Sequence, residues 1–305
     1  MKNKRKKQNK NWRPKDLIKS DIDLIKTICS LTEMDLLFTL DDMLEKYGYH
    51  DKVLTEDYLI AEGKTPICLV AHCDTVFSCP PEEFFYDQEK SVLWSPDGGG
   101  FDDRAGIFII LKMLQKGYRP SLIFTNGEEM GCVGSFALTD RYKKVPFREI
   151  HKPKFMIQLD RMGKDDCVFY DCANKDFIKT ISSFDFKVRK GSFSDISVLA
   201  PAWGIAAVNL SVGYYDEHTT VERLFIKQTY RTLDKVMEIL DKADTFPEFK
   251  YVGKKSNIEL RNLFLSEYND KCYWCNKKTN GSFKYHLPGV GDVPLCDACA
   301  GFIQT

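Results

Sequence analysis

Five short segments of the chain carry side chains able to hold metal ions or move protons. In VAHCDT, His72 and Asp74 stand two residues apart on an extended segment, so both side chains point to the same side. An imidazole there can ligate a metal while the carboxylate fixes its tautomer through the other ring nitrogen. GGGFDDRAG sets Asp102 and Asp103 between a glycine turn and a helix start; alone, the pair reads more readily as a helix N-cap with an acidic first turn. In TNGEEMG an apolar strand ends in Glu128 and Glu129, neighbours that repel unless a cation or a shared proton relieves them. MIQLDRMG closes a strand on Asp160, and YYDEHTTVE puts His218 ahead of a helix, where by itself it is an ordinary flanking histidine.

These segments need elements that bring them together. Leu17, Ile18, Ile22, Ile25 and Ile28 recur at helical spacing, and behind Thr32, a candidate N-cap, so do Leu36, Leu37, Leu40, Leu44 and Tyr47, with Gly48 as the stop. Residues 66–71 (PICLVA) form a short, continuous apolar run, as expected of a strand buried on both faces. From there helices and strands alternate: a helix over 103–115, strands at 121–125 and 155–159, a helix over 175–183 and a strand at 205–210. A long amphipathic helix is expected from about 220 to 244, with Leu224, Tyr230, Leu233, Met237 and Leu240 on its core face. This pattern predicts an α/β three-layer sandwich with a largely parallel central sheet, a fold that collects its sites at strand ends.

With 305 residues, 43% of them hydrophobic, the chain can bury one substantial core and still carry a small appended module. No run approaches the ~18 to 20 apolar residues of a membrane span, and the N-terminus lacks the apolar stretch of a secretory signal. The expectation is a cytoplasmic protein with no membrane partner. Charge is balanced at 44 basic against 44 acidic residues, yet residues 1–15 hold eight Lys or Arg and no acid, leaving 36 basic against 44 acidic in 16–305. Such a block reads first as a solvated, disordered tail and second as a contact for nucleic acid or an anionic surface. Eleven cysteines, an odd number in a chain of this length, argue against a disulfide framework. Cys29, Cys68, Cys73, Cys79, Cys132, Cys167 and Cys172 are scattered, mostly beside apolar residues, and are expected to be reduced.

Taken jointly, the segments resemble the co-catalytic zinc exopeptidases, the clan of lidless aminopeptidases, tripeptidases and related carboxypeptidases and deacylases. The matching residues are H-x-D at His72, G-x-D-D-x-A-G around Asp102, G-E-E-x-G at Glu128, the strand-end Asp160, and His218 with Glu222 four residues on; they span about 60 to 245. The resemblance implies hydrolysis of a peptide or small amide substrate with two zinc ions, or cobalt or manganese in their place. Asp102 would bridge the ions, with His72 and Asp160 on one and Glu129 and His218 on the other. Glu128 would be the general base and Asp74 the partner of His72, and a cis peptide would join Asp102 to Asp103.

Many relatives carry an inserted lid or dimerisation domain. Here 27 residues separate Asp74 from Asp102 and 57 separate Asp160 from His218, too few for a further ~100-residue domain with its own core. The lidless aminopeptidases are the closer match, ahead of a carboxypeptidase or N-deacylase on the same scaffold. A group that a lid would supply must then come from elsewhere: Tyr214 and Tyr215 are candidates for an oxyanion donor, and are equally well packing residues. A different reading is a catalytically reduced scaffold that binds a protein or nucleic-acid partner, but such a scaffold has no reason to keep Glu128 beside a full ligand set.

Near the C-terminus, Cys272-x2-Cys275 and Cys296-x2-Cys299, 20 residues apart, have the spacing of a four-cysteine structural zinc site. The segment looks like a zinc ribbon or treble-clef knuckle that folds around its metal, with His286 a bystander. The expected organisation is a basic tail at 1–15, a catalytic domain at 16–246, a linker at 247–267 and a zinc-binding module at 268–305. Seven basic and five acidic residues in 251–305 are too evenly matched to argue for phosphate contacts. Tyr273, Trp274, Phe283 and Tyr285 could stack on bases but pack a small domain equally well, so stabilisation or protein contact is the expected role and nucleic acid the weaker one. The sequence sets no oligomeric state.

Overall fold

The structure, a computed structural model, describes residues 14–253, 270–273, 277–281, 283–287 and 291–301. Helix α1 (Pro14–Cys29) buries Ile22, Ile25 and Ile28, and α2 (Glu33–Lys46) buries Leu36, Leu37, Leu40 and Leu44. Thr32 caps α2, its Oγ1 accepting the Asp35 amide at 3.2 Å.

The strands that follow are β1 (Lys52–Leu54), β2 (Tyr58–Ala61), β3 (Thr65–His72), β4 (Phe85–Asp87), β5 (Val92–Trp94), β6 (Pro120–Thr125) and β7 (Met156–Arg161). After them come β8 (Asp166–Val168), β9 (Lys187–Arg189), β10 (Ala207–Ser211), β11 (Tyr214–Tyr215) and β12 (Arg223–Phe225). Eight of them make one sheet in the order β1-β2-β6-β3-β7-β10-β8-β9, whose centre, β6-β3-β7-β10, is parallel. Register sets His72 beside Thr125 and Val70 beside Gln158, so the C-terminal ends of β3, β6 and β7 are level. The chain leaves β3 for β6 on one side and returns to β7 on the other, which opens a crevice at those ends.

Helices α3 (Phe101–Gln115), α4 (Val133–Arg141), α5 (Lys175–Ser182), α6 (Asp195–Trp203) and α7 (Ile226–Asp241) complete the layers. On one face α3 packs against β3 and β7, with α1 and α7 outside it; on the other lie α4 and α6. The chain is thus an α/β sandwich with a largely parallel sheet. Where α3 crosses β7, a side chain at Gly106 would meet the Leu159 carbonyl oxygen at 2.1 Å and Asp103 Oδ1 at 2.4 Å. Gly106→Ala should therefore push α3 off the sheet and cost ~3 kcal/mol, at the upper end for overpacking. An unchanged urea midpoint for this variant would show that the contact is not tight.

A second, antiparallel sheet, β11-β12-β5-β4, joins the chain ahead of Asp102 to the loop that carries His218. It also corrects the long helix, which begins at Ile226 rather than near 220. Residues 223–225 are a strand, and Leu224 is buried because it pairs with Leu93 across the sheet, a burial that mimics the helical period.

Phe155, Phe177, Phe246 and Phe249 form an aromatic cluster under the sheet, the Phe155 ring lying 5.2, 5.6 and 5.8 Å from the other three in that order. The Phe249 amide donates to Lys154 at 2.8 Å and the Tyr251 amide to Gly204 at 2.9 Å, so the chain stays on the core past 246, where the linker was expected. Residues 1–13 of the basic tail and 254–269 lie outside the described residues. At the C-terminus a hairpin, β13 (Phe283–Leu287) and β14 (Gly291–Leu295), precedes a short α8 (Asp297–Gly301). Tyr273, Val293, Leu295 and Ala300 of this segment are buried in one cluster with Phe136 of α4 and Val198 of α6. Tyr273 is thereby a packing residue, and Trp274 falls outside the described residues. Of the scattered cysteines, Cys79 is exposed and the other six are buried and free. Among the described residues no helix is long and apolar enough to cross a membrane.

Candidate metal centre

His72 is the last residue of β3, and its side chain is turned into the crevice. Nδ1 faces the Asp74 carbonyl oxygen at 3.1 Å and Asp74 Oδ1 at 3.4 Å. With Nδ1–H donating there, Nε2 keeps its lone pair and points at Asp102 Oδ1 (3.4 Å), Asp160 Oδ1 (3.6 Å) and Glu128 Oε2 (4.0 Å). His218, in the loop between β11 and β12, lies 2.9 Å from Glu129 Oε1 and 3.3 Å from Asp102 Oδ2. The two oxygens of Asp102 therefore face two different imidazoles. Ligand atoms of His72, Asp102 and Asp160 lie within 4.8 Å of one another, and so do those of Asp102, Glu129 and His218. The Asp102–Asp103 peptide is cis. The His218 side chain is 50% exposed against 1% for His72, so the centre opens on the His218 side.

The supports of these groups were only partly legible in the sequence. Asp74 does more than orient His72: its two oxygens accept the Glu128 and Glu129 amides at 3.1 and 3.0 Å, holding the turn that carries both glutamates. Asp103 caps α3 through the Gly106 amide (3.2 Å) and accepts the His72 amide (3.2 Å), so the N-cap reading suits Asp103 while Asp102 faces the histidines. Buried Glu222 accepts the Phe101 and Asp102 amides at 3.2 and 3.0 Å. Asp160 is held by Ser194 Oγ (2.7 Å), Gln158 Nε2 (3.0 Å) and Tyr214 Oη (3.2 Å). Tyr214 thus donates to a carboxylate, and the Tyr215 hydroxyl donates to Gln228 at 2.7 Å, which leaves neither as an oxyanion donor. Asp195, also fully buried, accepts from Thr125 (2.6 Å) and Ser135 (2.5 Å). Ser194, Asp195 and Asn209 went unread, although Gln158 and Asn209, lone amides inside apolar strands, carried the signal of a buried polar contact.

Charge in the crevice is one-sided. Among the described residues no Lys or Arg pairs with Asp102, Glu128, Glu129 or Asp160; nearby Arg104 is spent on the carbonyls of Ile28, Cys29 and Cys73. Burial pushes Asp160 up to about 7, reinforced by Asp102, and pushes Glu128 well above the carboxylate range. Burial pushes Asp102 up too, but the His218 and His72 imidazoles outweigh it and hold its carboxyl low. The Asp102 and Glu129 carboxylates raise His218 to about 11. Asp102 Oδ1 is moreover a buried oxygen with no hydrogen-bond donor among the described residues. An excess of buried carboxylate, two imidazoles with inward-facing nitrogens and an orphaned oxygen fit a pair of divalent cations. Asp74→Asn would turn an N–H towards one of the two amides it now accepts. It should lower metal affinity or turnover by about 10- to 100-fold, read by metal titration and initial rates; wild-type values for both would remove Asp74 from the support of the site.

The C-terminal cysteines make a separate group: ligand atoms of Cys272, Cys296 and Cys299 lie within 4.8 Å of one another, and Cys275 falls outside the described residues. His286 stands apart, exposed and 2.7 Å from Asp292.

No family model and no curated protein matches the chain. Solved structures do. Aminopeptidase PepT from Bacillus cereus ATCC 10987 superposes with a TM-score of 0.62 at 15% identity, covering 74% of this chain and 98% of that one. A tripeptidase from Staphylococcus aureus subsp. aureus Mu50 gives 0.61 at 15% identity over 75% of this chain and 99% of its own. A TET aminopeptidase from the marine sediment archaeon Thaumarchaeota archaeon SCGC AB-539-E09 gives 0.56 at 15% identity over 72% and 96%. The chain shares its fold with these aminopeptidase and tripeptidase structures.

Proposed function

We propose that the protein is a two-metal hydrolase that removes the N-terminal residue from short peptides. The observation that carries this reading is Asp102, which offers one oxygen to each of two histidine-containing donor sets. His72 and Asp160 would hold one ion, Glu129 and His218 the other, and Asp102 both; zinc, cobalt or manganese suits such an oxygen and imidazole set. When bound, a metal pair of this kind lowers the pKa of a water and polarises the carbonyl under attack. Glu128, half-buried with Oε2 4.0 Å from His72 Nε2, takes the proton of the attacking water and returns it to the departing amine. Asp74 fixes the His72 ring and, through the amides it accepts, the placement of base and ligand on one turn. The open His218 side is the entrance for substrate. Fold neighbours described as an aminopeptidase and a tripeptidase support a peptide substrate cleaved from its N-terminus.

The cysteine group would hold one structural zinc, with Cys275 as its fourth ligand. Buried, free cysteines support a reducing, cytoplasmic setting. The test is a panel of free-amine peptides, N-blocked peptides and N-acyl amino acids, assayed with and without a chelator. Free-amine peptides should be cleaved, with turnover lost on chelation and restored by zinc or cobalt. Cleavage of N-blocked peptides or N-acyl amino acids alone would replace the aminopeptidase by a carboxypeptidase or N-deacylase. No turnover from a metal-loaded protein would leave a binding scaffold.

A further inference from the structure

The cysteine segment and the metal centre meet at one residue. Cys132 is fully buried, and its Sγ lies 3.8 Å from Glu128 Oε1. Its amide and that of Gly131 donate to the Glu128 carbonyl at 2.9 and 2.8 Å, closing the turn that carries both glutamates. Cys132 itself sits in the left-handed region at φ 59° and opens α4. A non-glycine residue holds that conformation only where its surroundings over-determine it.

The buried cluster that holds Cys132 reaches into the C-terminal segment. Cys132 is part of a single buried apolar cluster with Phe136 and Val198 and with Tyr273, Val293 and Leu295. Both core helices in this cluster begin at the centre: α4 behind the glutamate turn, and α6 behind Ser194, whose hydroxyl donates to Asp160 at 2.7 Å. Asp195 of α6 accepts from Ser135 of α4 at 2.5 Å and so ties the two helices to each other. The hairpin residues Val293 and Leu295 are buried in this same cluster, so the small core of the segment is continuous with the face of α4 and α6.

We propose that the C-terminal cysteine module is a positioning element of the hydrolytic site: docked on α4 and α6 through Val293 and Leu295, it holds the Cys132 turn and thereby Glu128 in place. Its effect on turnover rests on the peptidase reading; its effect on the turn does not.

The experiment uses the full-length, metal-loaded protein and Leu295→Ala, with Leu295→Met as the conservative partner and Leu36→Ala, buried in α2, as a control for lost stability. Three measurements are made: hydrogen exchange over residues 127–133, the alkylation rate of Cys132 by iodoacetamide, and steady-state kinetics (kcat and KM) on a cleaved peptide. Leu295→Ala should speed exchange and alkylation at least tenfold and lower kcat at least tenfold, with KM within twofold of wild type. Leu295→Met and Leu36→Ala should stay near wild type in all three. Melting curves show whether the hairpin survives, and Val293→Ala serves if it does not. Unchanged exchange and alkylation overturn the proposal whatever the turnover, and faster exchange with an unchanged kcat overturns it too. A wild-type protein that cleaves no peptide defeats the peptidase reading instead, and exchange and alkylation then decide the docking by themselves.

Discussion

Asp102→Asn should cost the centre its metal pair and its turnover together. The change keeps the size of the side chain and removes the one negative charge that faces both His72 and His218, at 3.4 and 3.3 Å. Breaking a buried charge pairing from one side costs ~3 to 5 kcal/mol, which corresponds to a fall in affinity or rate of about 10²- to 10⁴-fold. The variant should hold at most one ion at the centre under conditions that load the wild type with two. Metal analysis after gel filtration, with turnover on a free-amine peptide, checks both halves. A variant that keeps two ions would show that the bridge lies elsewhere.

Glu128→Gln should separate chemistry from metal binding. Glu128 is no member of the two donor sets that share Asp102, and its turn is held by backbone bonds to Asp74 and within residues 128–132. The amide keeps the volume and gives up the basicity, so the fold and two ions should remain while kcat falls by about 10²- to 10⁴-fold. Burial already pushes the Glu128 carboxyl well above its ordinary range, the direction a group needs if it is to accept and hold a proton near neutral pH. Turnover within tenfold of wild type would remove Glu128 from the role of base.

The sequence was informative where residue type and strand ends coincide. His72, Glu128, Glu129 and Asp160 each follow an apolar run, so a parallel sheet had to bring them to one edge, and the level register of β3, β6 and β7 does so. The cis bond after Asp102 came from the resemblance to the zinc exopeptidases and not from any spacing. What was not legible depends on packing between distant segments. Residues 198–203 are apolar throughout and contain Pro201, so no period announced α6, yet its N-terminus supplies Ser194 and Asp195 to the centre. The hairpin of β4 and β5 hides in a short interval with weak strand character, and it is this hairpin that turned residues 223–225 from helix into strand. Tyr214 looked like an oxyanion donor because only its position beside His218 was visible; its hydroxyl is committed to Asp160 by a register that no spacing encodes. That the core of the cysteine segment is shared was likewise hidden: Val293 and Leu295 lie in one buried cluster with Phe136 of α4 and Val198 of α6.

The central claim is a pair of ions sharing Asp102, and crystallographic anomalous scattering from the zinc-loaded full-length protein tests it most directly, with data taken above and below the zinc edge. Two peaks are expected beside Asp102, one reached by His72 and Asp160 and the other by Glu129 and His218, with a third apart from them among the cysteines. A single peak beside Asp102 at saturating zinc, or none, would contradict the account.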